Sequence, residues 1–117
     1  MRAGELDLPE QKKLEFARAL ATNARLLLLD EVMAGLNRVE MMNVIDLICK
    51  INSEGITIIL VEHVMKAVIR LSTKIIVLNH GKKIAEGPPA AVVSNAEVIK
   101  AYLGSTLKPQ LMEKQTC

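Results

Sequence analysis

The chain has 117 residues, of which 50% are hydrophobic and 24% charged, the size and make-up of one globular domain. Its 15 basic and 13 acidic residues leave a formal charge of +2, and no basic stretch is interleaved with aromatics, which argues against a nucleic-acid surface. The longest strand-like apolar run, Ile56 to Val61, falls far short of the roughly 20 residues needed to cross a bilayer, and the charged opening "MRAGELDLPEQ" lacks the apolar segment of a secretory signal.

The pattern along the chain alternates helices and strands. Asp7 stands at capping-box spacing from Glu10, with Pro9 in the first turn, and strong helix formers follow, so a helix is expected over about 8–22. Leu26 to Leu29 is too short for a helix and reads as a strand covered on both faces. Asn37 and Glu40 repeat the capping spacing, Met41, Ile45 and Ile48 recur at helical intervals, and Gly55 supplies a stop, giving a second helix over about 38–53.

Ile56 to Val61 is β-branched and reads as a buried strand, and "HVMKAVIRL" after it has helical spacing. "KIIVLNHGKKIAEG" reads as two strands joined by a tight turn at Asn79, His80 and Gly81, and short helices are expected over Ala90 to Ser94 and Ala96 to Leu103. Strands separated by helices of this length argue for βαβ units and a parallel sheet. From Gly104 onward no periodicity remains, and the segment reads as a frayed tail.

Chemistry concentrates at two strand ends. In a parallel α/β sheet ligands bind beyond the carboxyl ends of the strands, where Asp30 and Glu31 fall. Adjacent carboxylates repel and resist desolvation unless something cationic or water-bearing uses them. An Asp ordering Mg²⁺, followed by a Glu polarising an attacking water, suits hydrolysis of a phosphoanhydride, which depends on positioning and charge neutralisation. The competing reading is a solvated strand end. The next strand ends on Glu62 and His63, where an imidazole could donate to a phosphate oxygen.

Taken in order, "QKKLEFARALA", "LLLLDE", "AGLN", "VEHVM" and "AEVIKAYLG" resemble the nucleotide-binding subunits of ATP-binding cassette (ABC) transporters. The nearest branch is the ATPase subunits of branched-chain amino acid importers. The resemblance covers about Leu6 to Gly104. It implies the C-terminal half of a cassette: an α/β, partial P-loop NTPase (ABC ATPase) fold with a mostly parallel sheet flanked by helices, lacking the Walker A strand and loop. Residues 1–104 would form this part of the domain and 105–117 a polar, disordered tail. By the same resemblance Asp30 belongs to the Walker B strand and holds Mg²⁺ through water, Glu31 is the general base, and His63 is the switch histidine contacting the γ-phosphate. Ala34, Gly35, Leu36 and Asn37 form the D-loop that contacts a second ATPase subunit. ATP and Mg²⁺ are the implied cofactors of the complete domain, and transmembrane permease subunits are the further implied partners. The implied location is cytoplasmic, peripheral to the membrane face of the assembled transporter.

Departures from the family pattern are equally specific. No GxxxxGK[ST] occurs in the sequence, so the loop amides and lysine that anchor phosphates are missing. The signature loop aligns with Leu6, Asp7, Leu8, Pro9 and Glu10, placing an acid where the family has a serine donor and a proline where a backbone N–H is needed. Val32 and Arg38 replace family prolines, and Val64 replaces the aspartate after the switch histidine. Two function classes follow: part of an ATPase subunit energising amino-acid import, or a non-catalytic remnant that serves as an interaction or oligomerisation module. In the family the strand leading into the phosphate loop separates the strands equivalent to Ile56–Val61 and Lys74–Leu78. Without it, Lys74–Leu78 is expected either to slide onto Ile56–Val61 or to leave a slot for a strand from another copy, giving self-association.

The missing cradle, together with Asp7 and Pro9 at the helix start, predicts that this chain neither hydrolyses ATP nor binds Mg-ATP tightly. Calorimetric titration and a phosphate-release assay check this. Stoichiometric micromolar binding, or turnover lost on Glu31→Gln, would contradict it.

Overall fold

In the computed structural model, which describes residues 2–103, the chain divides between His63 and Val64 into two units. The first opens with a single 3₁₀ turn, Ala3–Glu5, followed by α1, Leu8–Leu20. The reciprocal cap expected from the sequence forms at its start: Asp7 Oδ1 accepts the Glu10 N–H at 2.9 Å and Glu10 Oε2 accepts the Asp7 N–H at 3.1 Å. The helix ends two residues earlier than its composition suggests, because the chain turns through Asn23 at φ 56 before entering β1, Leu26–Asp30.

The second helix, α2, spans Arg38–Ser53, and its cap is also reciprocal, with Asn37 Oδ1 accepting the Glu40 N–H and Glu40 Oε2 accepting the Asn37 N–H. It buries Val44, Ile45, Ile48 and Ile51, one stripe at helical spacing. Each such side chain contributes roughly 1.5–3 kcal/mol when fully withdrawn from water. After α2 the chain returns as β2, Thr57–Val61, which pairs parallel with β1 in unbroken register from Leu26↔Thr57 to Asp30↔Val61.

One expectation is corrected here. Leu27 and Leu29 are buried, but Leu28 is 68% exposed on the opposite face, beside Ile59 at 52%. Leu26 and Val61 are exposed on that face as well. Neither strand is covered on both sides, because among the described residues only one face of the pair has apolar side chains buried against it.

The second unit holds α3, Met65–Leu71; β3, Ile75–Asn79; β4, Lys82–Gly87; α4, Pro89–Val93; and α5, Ala96–Val98, which runs into a π turn over Ile99–Leu103. β3 and β4 form an antiparallel hairpin closed by His80 and Gly81, whose φ values of 50° and 75° are the two positive angles that a tight two-residue hairpin loop requires. The register slips between Val77 and Leu78, so Ile84 is the extra residue of a bulge. Val68, Ile69, Ile75, Val92, Val93 and Val98 form the core of this unit. Tyr102 closes it by donating its hydroxyl to the Leu78 carbonyl.

The α/β class holds, with parallel pairing confined to β1 and β2. The sliding closure expected between Ile56–Val61 and Lys74–Leu78 does not occur: β2 pairs with β1 and β3 with β4 in separate two-stranded sheets. A hairpin partner two residues away satisfies β3 at far less entropic cost than a distant strand could. The tail expected over 105–117 lies outside the described residues.

On the hairpin, Glu86 accepts from Lys74 Nζ and Lys83 Nζ, each at 2.7 Å. The Lys74 and then the Lys83 hydrogen bonds, reinforced by their charges, hold its carboxyl down from the ordinary 4.5 to about 2. A depressed carboxyl stabilises the fold above its unfolded value and loses that contribution as pH falls, here between 4.5 and about 2. The Lys74→Ala, Lys83→Ala double variant is therefore expected to titrate Glu86 near the ordinary carboxyl value and to flatten acid unfolding in that window. An NMR titration that leaves Glu86 where it was would refute the pairing.

Candidate functional site

The parallel register fixes the site. Asp30 and Val61 are the last paired residues, so Glu31 on one strand and Glu62 and His63 on the other leave the ladder at the same end. One further hydrogen bond extends the pairing, from Glu31 N–H to the Val61 carbonyl at 2.8 Å. Glu31 then turns the chain through φ 51°, the left-handed region that a glutamate adopts only at a cost of roughly 1–3 kcal/mol. The turn closes where the Ala34 N–H reaches the Glu31 carbonyl at 3.2 Å.

This geometry brings together two of the residues singled out by sequence. Glu31 Oε1 lies 3.4 Å from His63 Nδ1, and both side chains face solvent, with relative exposures of 56% and 67%. Asp30 is exposed at the strand end and lines a shallow groove of about 190 Å³ with Glu15, Phe16 and Leu28. Among the described residues no group of three His, Cys, Asp or Glu side chains could hold a metal ion. A lone carboxylate fits Mg²⁺ nonetheless, since that ion keeps several waters and is commonly held by one or two carboxylates together with substrate phosphates.

The segment Ala34 to Asn37 is a tight loop with a specific need for glycine. Gly35 has φ 78°, and a Cβ there would stand 2.9 Å from Leu8 Cδ2 at the start of α1. Asn37 spends its side-chain oxygen on the α2 cap. Sequence reasoning passed over one contact: Glu62 Oε1 accepts the Met33 N–H at 2.9 Å, across 29 positions of the chain. Its only sequence signal is an acid beside His63 at a strand end; the backbone donor it serves has no signature in side-chain type.

A family described as branched-chain amino acid ATP-binding cassette transporter matches residues 82–107. The chain is 46% identical over 103 residues to the high-affinity branched-chain amino acid transport ATP-binding protein BraF of Pseudomonas aeruginosa, covering 87% of this chain and 40% of that protein. It is 41% identical over 104 residues to the corresponding protein LivG of Escherichia coli, covering 88% of this chain and 41% of that one. A solved nucleotide-free ATP-binding cassette from an ABC transporter superposes with a TM-score of 0.77 at 28% identity, covering 86% of this chain and 42% of that one. The chain thus spans about two fifths of the length of the curated relatives it matches.

A βαβ unit whose first strand ends on Asp30, together with the likeness to this cassette, gives the chain the fold of part of an ABC ATPase domain. Within that class the proteins it is similar to are ATP-binding proteins of branched-chain amino acid transport.

Proposed function

We propose that this chain carries the hydrolytic residues of the ATP-hydrolysing subunit of an ABC importer for branched-chain amino acids. The observation that carries the reading is the apposition of Glu31 and His63, 3.4 Å apart at the shared end of two parallel strands. Glu31 polarises the attacking water, with the left-handed turn presenting its carboxylate to solvent. His63 is placed to donate to the terminal phosphate, and Asp30 is the residue that would hold Mg²⁺. When bound, the ion neutralises charge on the phosphates. The loop Ala34 to Asn37 meets a second ATPase subunit, and the assembly sits against permease subunits at the cytoplasmic membrane face. Among the described residues no helix is long and apolar enough to cross a membrane.

The test uses a completed cassette, in which the part of the Pseudomonas aeruginosa relative that precedes the matched region is fused ahead of this chain. Glu31→Gln should abolish most turnover while leaving ATP binding intact, the pattern of an interaction made mainly in the transition state. His63→Ala should do the same. Undiminished turnover in both variants would remove the catalytic assignment.

A second reading, an interaction module without turnover, draws support from the exposed apolar face of Leu26, Leu28, Ile59 and Val61 and from the unshared edge of β2. On that reading the chain alone self-associates. Light scattering after size exclusion should give a mass above 12.8 kDa that falls when Leu28 and Ile59 are both changed to Thr. A monomer at every concentration would discard it.

A further inference from the structure

Glu62 joins the two strand ends through a bond from its side chain to the backbone of the facing loop. Between Asp30 and Met33 the chain must hold Glu31 at φ 51°, a conformation that persists only where its surroundings over-determine it. Three hydrogen bonds do so: Glu31 N–H to the Val61 carbonyl at 2.8 Å, Ala34 N–H to the Glu31 carbonyl at 3.2 Å, and Met33 N–H to Glu62 Oε1 at 2.9 Å. The first two are backbone pairs that most sequences could form. Only the third depends on a side chain. Met33 is itself only 1% exposed, so the turn is pinned by a buried apolar side chain and by one carboxylate oxygen.

The other oxygen of Glu62 counts against a purely stabilising role. Oε2 is buried with no hydrogen-bond partner among the described residues. A buried acceptor left unsatisfied costs free energy, and such exceptions in a fold call for an explanation. A glutamate at this position, with one oxygen unsatisfied, is explained if the bond from Met33 to the other is what matters.

We infer that Glu62 is a positioning residue: its carboxylate clamps the Met33 amide, holds the Glu31 turn left-handed, and so keeps the Glu31 carboxylate beside His63. The inference rests on the reading of Glu31 as general base. Glu62 touches neither water nor nucleotide in this role, and acts through the backbone of the loop that follows the base. It also joins the end of β2 to the start of the loop 34–37, so displacement of one strand end is transmitted to that loop.

Amide exchange on the full chain, with and without changes at Glu62, tests the clamp. Glu62→Asp keeps the charge but is one methylene too short to reach, and should speed exchange at Met33 by about tenfold, as expected for one lost hydrogen bond, while Leu29, whose amide faces β2, stays protected. Glu62→Gln keeps a carbonyl oxygen at the same reach and should exchange like the wild type. In the completed cassette, Glu62→Asp should lower kcat by about tenfold with KM unchanged, and Glu62→Gln should restore it. Equal Met33 exchange in all three proteins, or an effect confined to KM, overturns the inference. Should Glu62→Asp unfold, seen as lost protection at Leu29, Glu62→Gln decides: wild-type Met33 exchange and kcat support the clamp, and a fast-exchanging Met33 overturns it. Turnover that survives Glu31→Gln would instead sink the general-base reading, leaving the Met33 exchange result to be judged on its own.

Discussion

The parallel pairing of β1 and β2 is the constraint on which the rest of the site depends. Parallel neighbours put their carboxyl ends at the same end, so Glu31, Glu62 and His63 converge without any of them having to reach. Such a pairing requires a long crossover, and α2 supplies it. The energy is apolar: Val44, Ile45, Ile48 and Ile51 together withdraw far more free energy from water than the polar contacts of the site return, each of which is worth about 1 kcal/mol net. Hydrophobic burial on the helix therefore sets where the carboxylates stand, and the hydrogen bonds only refine how they point.

What was legible in the sequence was whatever is encoded locally. Asp7 with Glu10 and Asn37 with Glu40 announce helix starts because a side chain three positions from a cap is within reach of its backbone N–H, and both form as read. His80 and Gly81 announce a hairpin for a similar reason: a tight turn needs residues that tolerate positive φ. Glu31 and His63 were each legible as strand-end residues of a parallel sheet, but their contact was not, since nothing in either residue's neighbours specifies the other. The bond from Met33 to Glu62 was not legible at all, because any residue but proline offers a backbone donor. Burial was misread for Leu26 and Leu28, whose neighbours are as apolar as those of a covered strand, while the residues described leave that face open.

That open face fits the lengths of the relatives. The relatives are more than twice as long and match this chain over part of their length, and Leu26, Leu28, Ile59 and Val61 have the apolar composition of a strand pair covered on both sides. The hairpin unit is held by local contacts. Its strands find each other locally, a cluster of valines and isoleucines gathers beneath them, and Glu86 is pinned between two lysines at its rim.

Tyr102 has one further consequence. It is the only tyrosine, the chain has no tryptophan, and its hydroxyl is bonded to the Leu78 carbonyl within the second unit. Intrinsic ultraviolet emission from this protein therefore originates in the hairpin unit and reports whether the C-terminal turn stays docked on β3. The strand ends bearing Asp30, Glu31, Glu62 and His63 have only Phe16 in their own unit, so an optical melt would follow one half of the molecule while the half with the chemistry unfolded in the dark.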